Sequence, residues 1–238
     1  MRLTQKAVIK TFPKPNLCMS IKSNYESVKK EIAQTCTRVR RSPKEITLVA
    51  VTKNEPVTKI MEIVSLGIED IGESKAQELE EKYPELKKLK AEIHFIGHLQ
   101  SNKVKPVVEM ADYIQSVDSL NLLRKIHYAA LDMDKVQNIF LQVNTSGEKQ
   151  KYGMPPHGVE SLLTTMKNLP YGNVKFMGLM TMAPLTENEE TIRNCFKTLF
   201  DIKEHLNLHH LSMGMSNDFK IAIEEGATVL RIGRKLFE

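Results

Sequence analysis

From residue 46 onward, short apolar runs rich in β-branched residues alternate with amphipathic stretches, and this happens eight times. No other feature constrains the fold as strongly. The runs fall at residues 46–51, 68–71, 93–96, 113–117, 139–143, 174–180, 208–213 and 228–232. The first, Ile46-Thr47-Leu48-Val49-Ala50-Val51, is apolar on both alternate faces, as expected of a parallel strand buried on both sides. Helical spacing follows each run: from Pro56 to a closing Gly67, from Ser74, from Ser101, from a Ser119 cap, after Pro155-Pro156, over 189–206 and over 217–225. Only a stub follows the eighth run. Strand-then-helix alternation implies parallel strands joined by right-handed crossovers. Eight such units predict a closed (β/α)8 TIM-type barrel, with an open doubly wound sheet as the alternative, because periodicity does not show closure. A further amphipathic helix is predicted over residues 20–41, ahead of the barrel.

Composition narrows the classes. With 41% hydrophobic and 26% charged residues, the 238-residue chain has enough apolar surface to fold, which excludes a mainly disordered protein. Cys18, Cys36 and Cys195 form neither a disulfide framework nor a C-x-x-C pair, so a reducing, cytoplasmic setting is expected. No apolar run approaches the ~18 residues of a membrane span. Ala7-Val8-Ile9 is too short for a signal h-region, and residues 1–18 read as a disordered extension before a single domain over 19–238. The net charge of 34 − 29 = +5 suits a phosphorylated small ligand without indicating nucleic acid. Its densest cluster, Arg38-Val39-Arg40-Arg41, reads as a solvated helix end.

In a barrel of this kind, chemistry sits where strands run out into loops at the C-terminal face. Lys53 directly follows the first strand. An amine pressed against apolar walls there would lose hydration and become a nucleophile toward aldehydes; the alternative is a lysine snorkelling over the rim. At the far end of the chain, Ser212-Met213-Gly214-Met215-Ser216-Asn217-Asp218 offers backbone N–H groups to an anion, or plain N-capping by Ser216 or Asn217. Arg231-Ile232-Gly233-Arg234 ends the eighth strand with a glycine that admits a ligand close to the backbone. Loops after strands seven and eight are a common phosphate site in such barrels. A phosphorylated aldehyde bridging Lys53 and these turns would use all three segments, and pyridoxal phosphate is the cofactor with that chemistry.

Several segments together carry a family resemblance. They are Val49-Ala50-Val51-Thr52-Lys53, Gly72-Glu73, His94-Phe95-Ile96-Gly97-His98-Leu99-Gln100-Ser101-Asn102-Lys103, Gln142-Val143-Asn144, Gly178-Leu179-Met180, Leu211 to Asp218, and Arg231-Ile232-Gly233. From about Met19 to the C-terminus the chain resembles the pyridoxal phosphate homeostasis protein family, which is similar to the barrel domain of alanine racemases. The resemblance implies that Lys53 carries pyridoxal 5'-phosphate as an internal aldimine. It also implies that the Ser216 hydroxyl and the Gly233 and Arg234 N–H groups hold the phosphate, and that Arg231 lies near the pyridine ring. Two positions depart from the pattern: Ser74 replaces the asparagine that usually follows Gly-Glu, and Leu236-Phe237-Glu238 lacks the glycine that usually follows phenylalanine, so a shortened last helix is expected.

The same resemblance implies a non-catalytic binder active in intracellular pyridoxal phosphate homeostasis. An arginine cannot accept the ring-nitrogen proton, as the acidic partner of an efficient electron sink does. Only seven residues follow Arg231 (238 − 231 = 7), so the additional domain of related racemases and decarboxylases is not expected. The competing class is an inefficient amino-acid racemase or lyase, and nucleic-acid binding is a distant third. A monomer is expected, with apo forms of pyridoxal phosphate-dependent enzymes as candidate recipients. Other features receive plainer readings. His205, His209 and His210 lack a metalloprotease pattern and read as surface or helix-terminal histidines. Gly147 to Gly153 lacks a phosphate-loop ending and reads as a mobile loop whose Lys149 and Lys151 assist cofactor capture or release. Met177, Met180, Met182, Met213 and Met215 read as core filling, with lining of the ring pocket as the second reading.

Overall fold

A computed structural model describes residues 20–148, 150–168 and 171–238. Residues 1–18, and Cys18 and Lys149 with the expectations attached to them, lie outside the described residues. The eight strands are β1 (Thr47–Val51), β2 (Asp70–Glu73), β3 (Glu92–Phe95), β4 (Tyr113–Val117), β5 (Gln137–Gln142), β6 (Val174–Met180), β7 (His210–Ser212) and β8 (Val229–Ile232). All pair in parallel and in sequence order, and β8 returns to β1, so the sheet closes and the open-sheet alternative is excluded. Register slips at the β4–β5 and β5–β6 pairings adjust the local geometry of the ring.

The helices are α1 (Ile21–Arg38), α2 (Val57–Ser65), α3 (Ala76–Leu86), α4 (Val104–Met110), α5 (Leu120–Asp132), α6 (Val159–Asn168), α7 (Glu189–His205), α8 (Phe219–Glu224) and α9 (Arg234–Phe237). Two cores result. The larger lies between strands and helices and holds Ile60, Ile63, Leu79, Val107, Leu123, Phe196 and Phe219. The smaller fills the barrel with Val49, Phe140, Met180 and Val229, against which Tyr113, Met177 and Met182 pack. Met177, Met180 and Met182 therefore line the interior, whereas Met213 belongs to the outer core.

Helix α1 matters to the site because it braces the chain's last turns. Ser20 caps it by accepting from the Ser23 N–H. Ile21, Tyr25, Val28, Ile32 and Cys36 make one buried stripe, and burying such a side chain is worth about 1.5–3 kcal/mol each. Asn24 donates to the Leu236 carbonyl (3.2 Å), and Glu31 pairs with Lys220 of α8 and Lys235 of α9 (2.6 Å each). The basic cluster is not simply solvated: Arg38 pairs with Glu224, and Arg41 donates to the Ile223 carbonyl (2.9 Å), tying α1 to α8.

Candidate functional site

Period-two alternation sets what reaches the barrel mouth. Val49 and Val229 face the inner core, so Val51 and then Lys53 continue that phase beyond β1, as Arg231 and Gly233 do on β8. The register Ala50↔Ile232 brings the turn that carries Lys53 beside Gly233. A Cβ on Gly233 would lie 3.2 Å from the Val51 carbonyl oxygen, so glycine is what lets these two strand ends approach so closely.

Lys53 itself is exposed. The expectation of an amine pressed between apolar walls is corrected. The strand ends at Val51, and the backbone turns over at Asn54 (φ 62°), which leaves Lys53 at the rim. Its anchor is the preceding residue. Thr52 is fully buried; its hydroxyl donates to Glu73 Oε1 (2.7 Å), and Lys82 Nζ donates both to that oxygen (2.7 Å) and to the Thr52 carbonyl (2.9 Å). The Asn54 N–H donates to Glu78 Oε2 (2.9 Å). Glu73 stood in the sequence only as part of the Gly-Glu motif, without this role, and Glu78 and Lys82 went unnoticed, although a charged pair linking a strand end to the next helix was there to be read. Glu73 Oε2 and Ser74 Oγ are buried without a partner, so the Ser74 departure falls where polar capacity remains open.

Arg231 is 4% exposed, and no carboxylate pairs with it among the described residues. It donates to Ser212 Oγ (2.6 Å) and to the Thr181 carbonyl (2.8 Å). Burial pushes its guanidinium down from the ordinary arginine range to about 10, opposed by the charge of Asp218. Burial likewise raises the Asp218 carboxyl, against the Met215 N–H that it accepts and the charge of Arg231. Beyond Arg231 a row of polar side chains crosses the barrel. The Ser212 hydroxyl donates to Gln115 Oε1 (2.6 Å), Gln115 Nε2 meets His94 Nδ1 (2.8 Å), and His94 Nε2 meets Asp70 Oδ1 (2.8 Å). His94 also stacks on Tyr113 with ring centroids 4.3 Å apart.

The turns after β7 and β8 meet as expected. Ser216 Oγ accepts from the Lys235 N–H (3.4 Å), and Arg234 reaches Asn217 Oδ1 (3.5 Å). Capping of the next helix by Ser216 or Asn217 is not seen; α8 begins only after Asp218, whose side chain caps the turn at Met215 instead. Gly233 stands immediately before the short α9, where the first N–H groups of a helix lack intrahelical acceptors. Ser216, Gly233 and Arg234 thus share one corner of the mouth, with Arg231 below them and the Lys53 turn beside them.

Across the mouth, Tyr152 stacks on His98 (centroids 3.8 Å apart), and Lys151 pairs with Glu148 and donates to the Ala183 carbonyl (3.2 Å). Asn144 Nδ2 closes this loop by donating to the carbonyls of Glu148 (2.9 Å) and Lys151 (3.3 Å). His205 ends α7 while His210 opens β7, so the three histidines share no helical face. Among the described residues no cluster of His, Cys, Asp or Glu could hold a metal ion, and no helix is long and apolar enough to cross a membrane.

Comparison with known proteins gives this geometry its class. The profile of the alanine racemase N-terminal domain matches residues 21–237, so the barrel is of the alanine racemase type. The alanine racemase of Clostridium difficile superposes with a TM-score of 0.69 at 13% identity, over 90% of this chain and 56% of that one, a likeness of fold alone. A pyridoxal phosphate homeostasis protein of Aquifex aeolicus is 40% identical over 216 residues, 88% of this chain and 94% of the relative. PipY of Synechococcus elongatus, solved with PLP bound, superposes with a TM-score of 0.75 at 32% identity, over 87% of this chain and 100% of PipY. The chain belongs to the family of pyridoxal phosphate homeostasis proteins.

Proposed function

We propose that this chain binds pyridoxal 5'-phosphate through Lys53 and holds it for intracellular cofactor homeostasis, without turning over an amino-acid substrate. The observation that carries the reading is the buried Arg231 guanidinium, held only by neutral acceptors between the Lys53 rim and the Ser216–Gly233 corner. A buried cation without a bonded counter-charge favours an electron-rich ligand group beside it. The donor set fits this cofactor in kind: an amine for an aldehyde, a guanidinium with N–H groups to spare for a ring nitrogen, and a hydroxyl with two backbone N–H groups for a phosphate. When bound, the cofactor supplies an aldehyde that condenses with an amine and a ring that withdraws electrons.

The remaining work belongs to the chain's own residues. Thr52, Glu73 and Lys82 fix the backbone from which Lys53 projects. Ser216 and Lys235 tie together the two turns that hold the phosphate. Arg231 remains charged at neutral pH, so it donates toward the ring nitrogen and does not keep that nitrogen protonated, which favours holding over carbanion chemistry. Apo pyridoxal phosphate-dependent enzymes are the proposed recipients. The free, buried thiols of Cys36 and Cys195 suit a cytoplasmic setting.

The purified protein mixed with pyridoxal phosphate should develop a visible absorption band that borohydride fixes and Lys53→Ala abolishes. A protein that stays colourless would overturn the binding. Kinship with the alanine racemase barrel supports a second reading, a slow racemase or lyase. Multiple turnovers of α-proton exchange in an amino acid, lost in Lys53→Ala, would establish it instead.

A further inference from the structure

We infer that Ser212, Gln115, His94 and Asp70 are positioning residues for Arg231, forming a one-directional hydrogen-bond relay across the barrel that fixes the plane of the guanidinium. The inference rests on the proposed cofactor reading only for its consequence at the ring; the relay itself is a property of the protein.

The direction follows from donor and acceptor capacity. Asp70 Oδ1 accepts at Nε2, so His94 in its neutral form carries its proton there and leaves Nδ1 as an acceptor. Gln115 must then present its NH2 group to His94, which turns its carbonyl oxygen toward Ser212. The Ser212 hydroxyl spends its one proton on that oxygen and faces Arg231 with lone pairs only. Every link therefore donates away from Arg231 and toward Asp70. Reversing one link would set two donors or two acceptors against each other in a place where water cannot intervene, since His94, Gln115 and Ser212 are at most 2% exposed.

The relay is complete in a way its surroundings are not. Ser116 Oγ, on the same strand as Gln115, is buried without a partner, whereas no atom of the relay is orphaned. Its members come from β8, β7, β4, β3 and β2, so it spans the barrel from wall to wall. Its only carboxylate, Asp70, has a side chain 20% exposed and sits at the start of β2, the opposite end of the barrel from the Lys53 rim. The cation near the ring is thus joined, through Ser212, Gln115 and His94, to a carboxyl group at the far end. Asp218 is the nearer carboxylate, but it acts on Arg231 through space, without a bond.

The test uses the full chain with Gln115→Met, which keeps length while removing both hydrogen bonds, His94→Leu, and His94→Asn, whose side-chain oxygen can take the place of Nδ1. In the cofactor-free protein, nitrogen-15 NMR should resolve separate Nη resonances for a rigid Arg231 in the wild type and in His94→Asn. Those resonances should average together in Gln115→Met and His94→Leu. In protein loaded with pyridoxal phosphate, the two broken-relay variants should bind about tenfold more weakly and shift the cofactor's absorption maximum, while His94→Asn stays near wild type. A network that only stabilises the fold would lower the melting temperature and leave the Nη resonances separate. That result, or a His94→Asn variant no better than His94→Leu, overturns the relay. A wild-type protein that fails to take up the cofactor refutes the proposed function, while the cofactor-free spectra still decide the relay.

Discussion

Replacing Arg231 with methionine asks whether the fold needs this side chain or the ligand does. Burial has moved its guanidinium down from the ordinary arginine range to about 10. At about 1.4 kcal/mol per pKa unit, keeping it charged in the native state costs roughly 3 kcal/mol at neutral pH. Against this stand its bonds to Ser212 (2.6 Å) and Thr181 (2.8 Å). Hydrogen bonds to a charged group are worth about 1.5–3 kcal/mol each, so the pair offsets that cost nearly in full. Methionine removes both contributions and fills much of the same volume. Arg231→Met should therefore unfold in urea within about 1–2 kcal/mol of wild type at pH 8, yet bind pyridoxal phosphate at least about tenfold more weakly. The pH dependence provides a second check. The folded value lies below the unfolded one, so the penalty is constant at low pH and shrinks as pH rises through about 10. Wild type should gain on the order of 1 kcal/mol on the variant between pH 8 and pH 10.5. A variant that loses much more than 3 kcal/mol of stability while binding the cofactor normally would refute this reasoning.

Three other perturbations test the frame around the site. Gly97→Ala would place a Cβ 1.8 Å from the Ser74 carbonyl oxygen, a backbone contact that cannot yield, and should cost about 3 kcal/mol or more in thermal unfolding; an unchanged melting temperature would contradict this packing. Glu31→Gln removes the ion pairs to Lys220 and Lys235 and should cost about 1 kcal/mol at pH 7, because the lysines are partly exposed. Burial raises the Glu31 carboxyl, but the two lysines outweigh it and hold it below 4.5, so the wild-type advantage should be full above that value and vanish as pH falls through the folded one; urea midpoints at pH 7 and pH 3 compare the two conditions. Lys149→Ala combined with Lys151→Ala should change the rates at which pyridoxal phosphate is taken up and released, measured by stopped-flow absorbance, and identical rates would remove these lysines from cofactor exchange.

How much of this was legible in the sequence depended on locality. The apolar run before Lys53 and the β-α rhythm are local, so the strands and the barrel could be read from periodicity. Boundaries slipped where packing and pairing part company. Ile68 is buried and apolar but packs in the outer core ahead of β2, whose ladder begins at Asp70. The run at 208–213 pairs only over His210–Ser212, because the chain has just Ser212↔Val229 to hold against β8 before it turns. Lys53, Ser216, Gly233 and Arg234 were legible as residues at strand ends, where a barrel keeps its chemistry. The exposure of Lys53 was not, since it follows from a turn at Asn54 that spacing does not reveal. The relay was further out of reach: Asp70, Gln115 and Ser212 lie on separate strands, and only closure of the sheet brings them within hydrogen-bonding distance.

The central claim is that Lys53 is the amine that takes the cofactor. The most direct measurement is peptide mass mapping of protein loaded with pyridoxal phosphate and then reduced with borohydride. The predicted result is a single cofactor adduct on the peptide carrying Lys53. An adduct on Lys82, Lys151 or another lysine, with the Lys53 peptide unmodified, would contradict it.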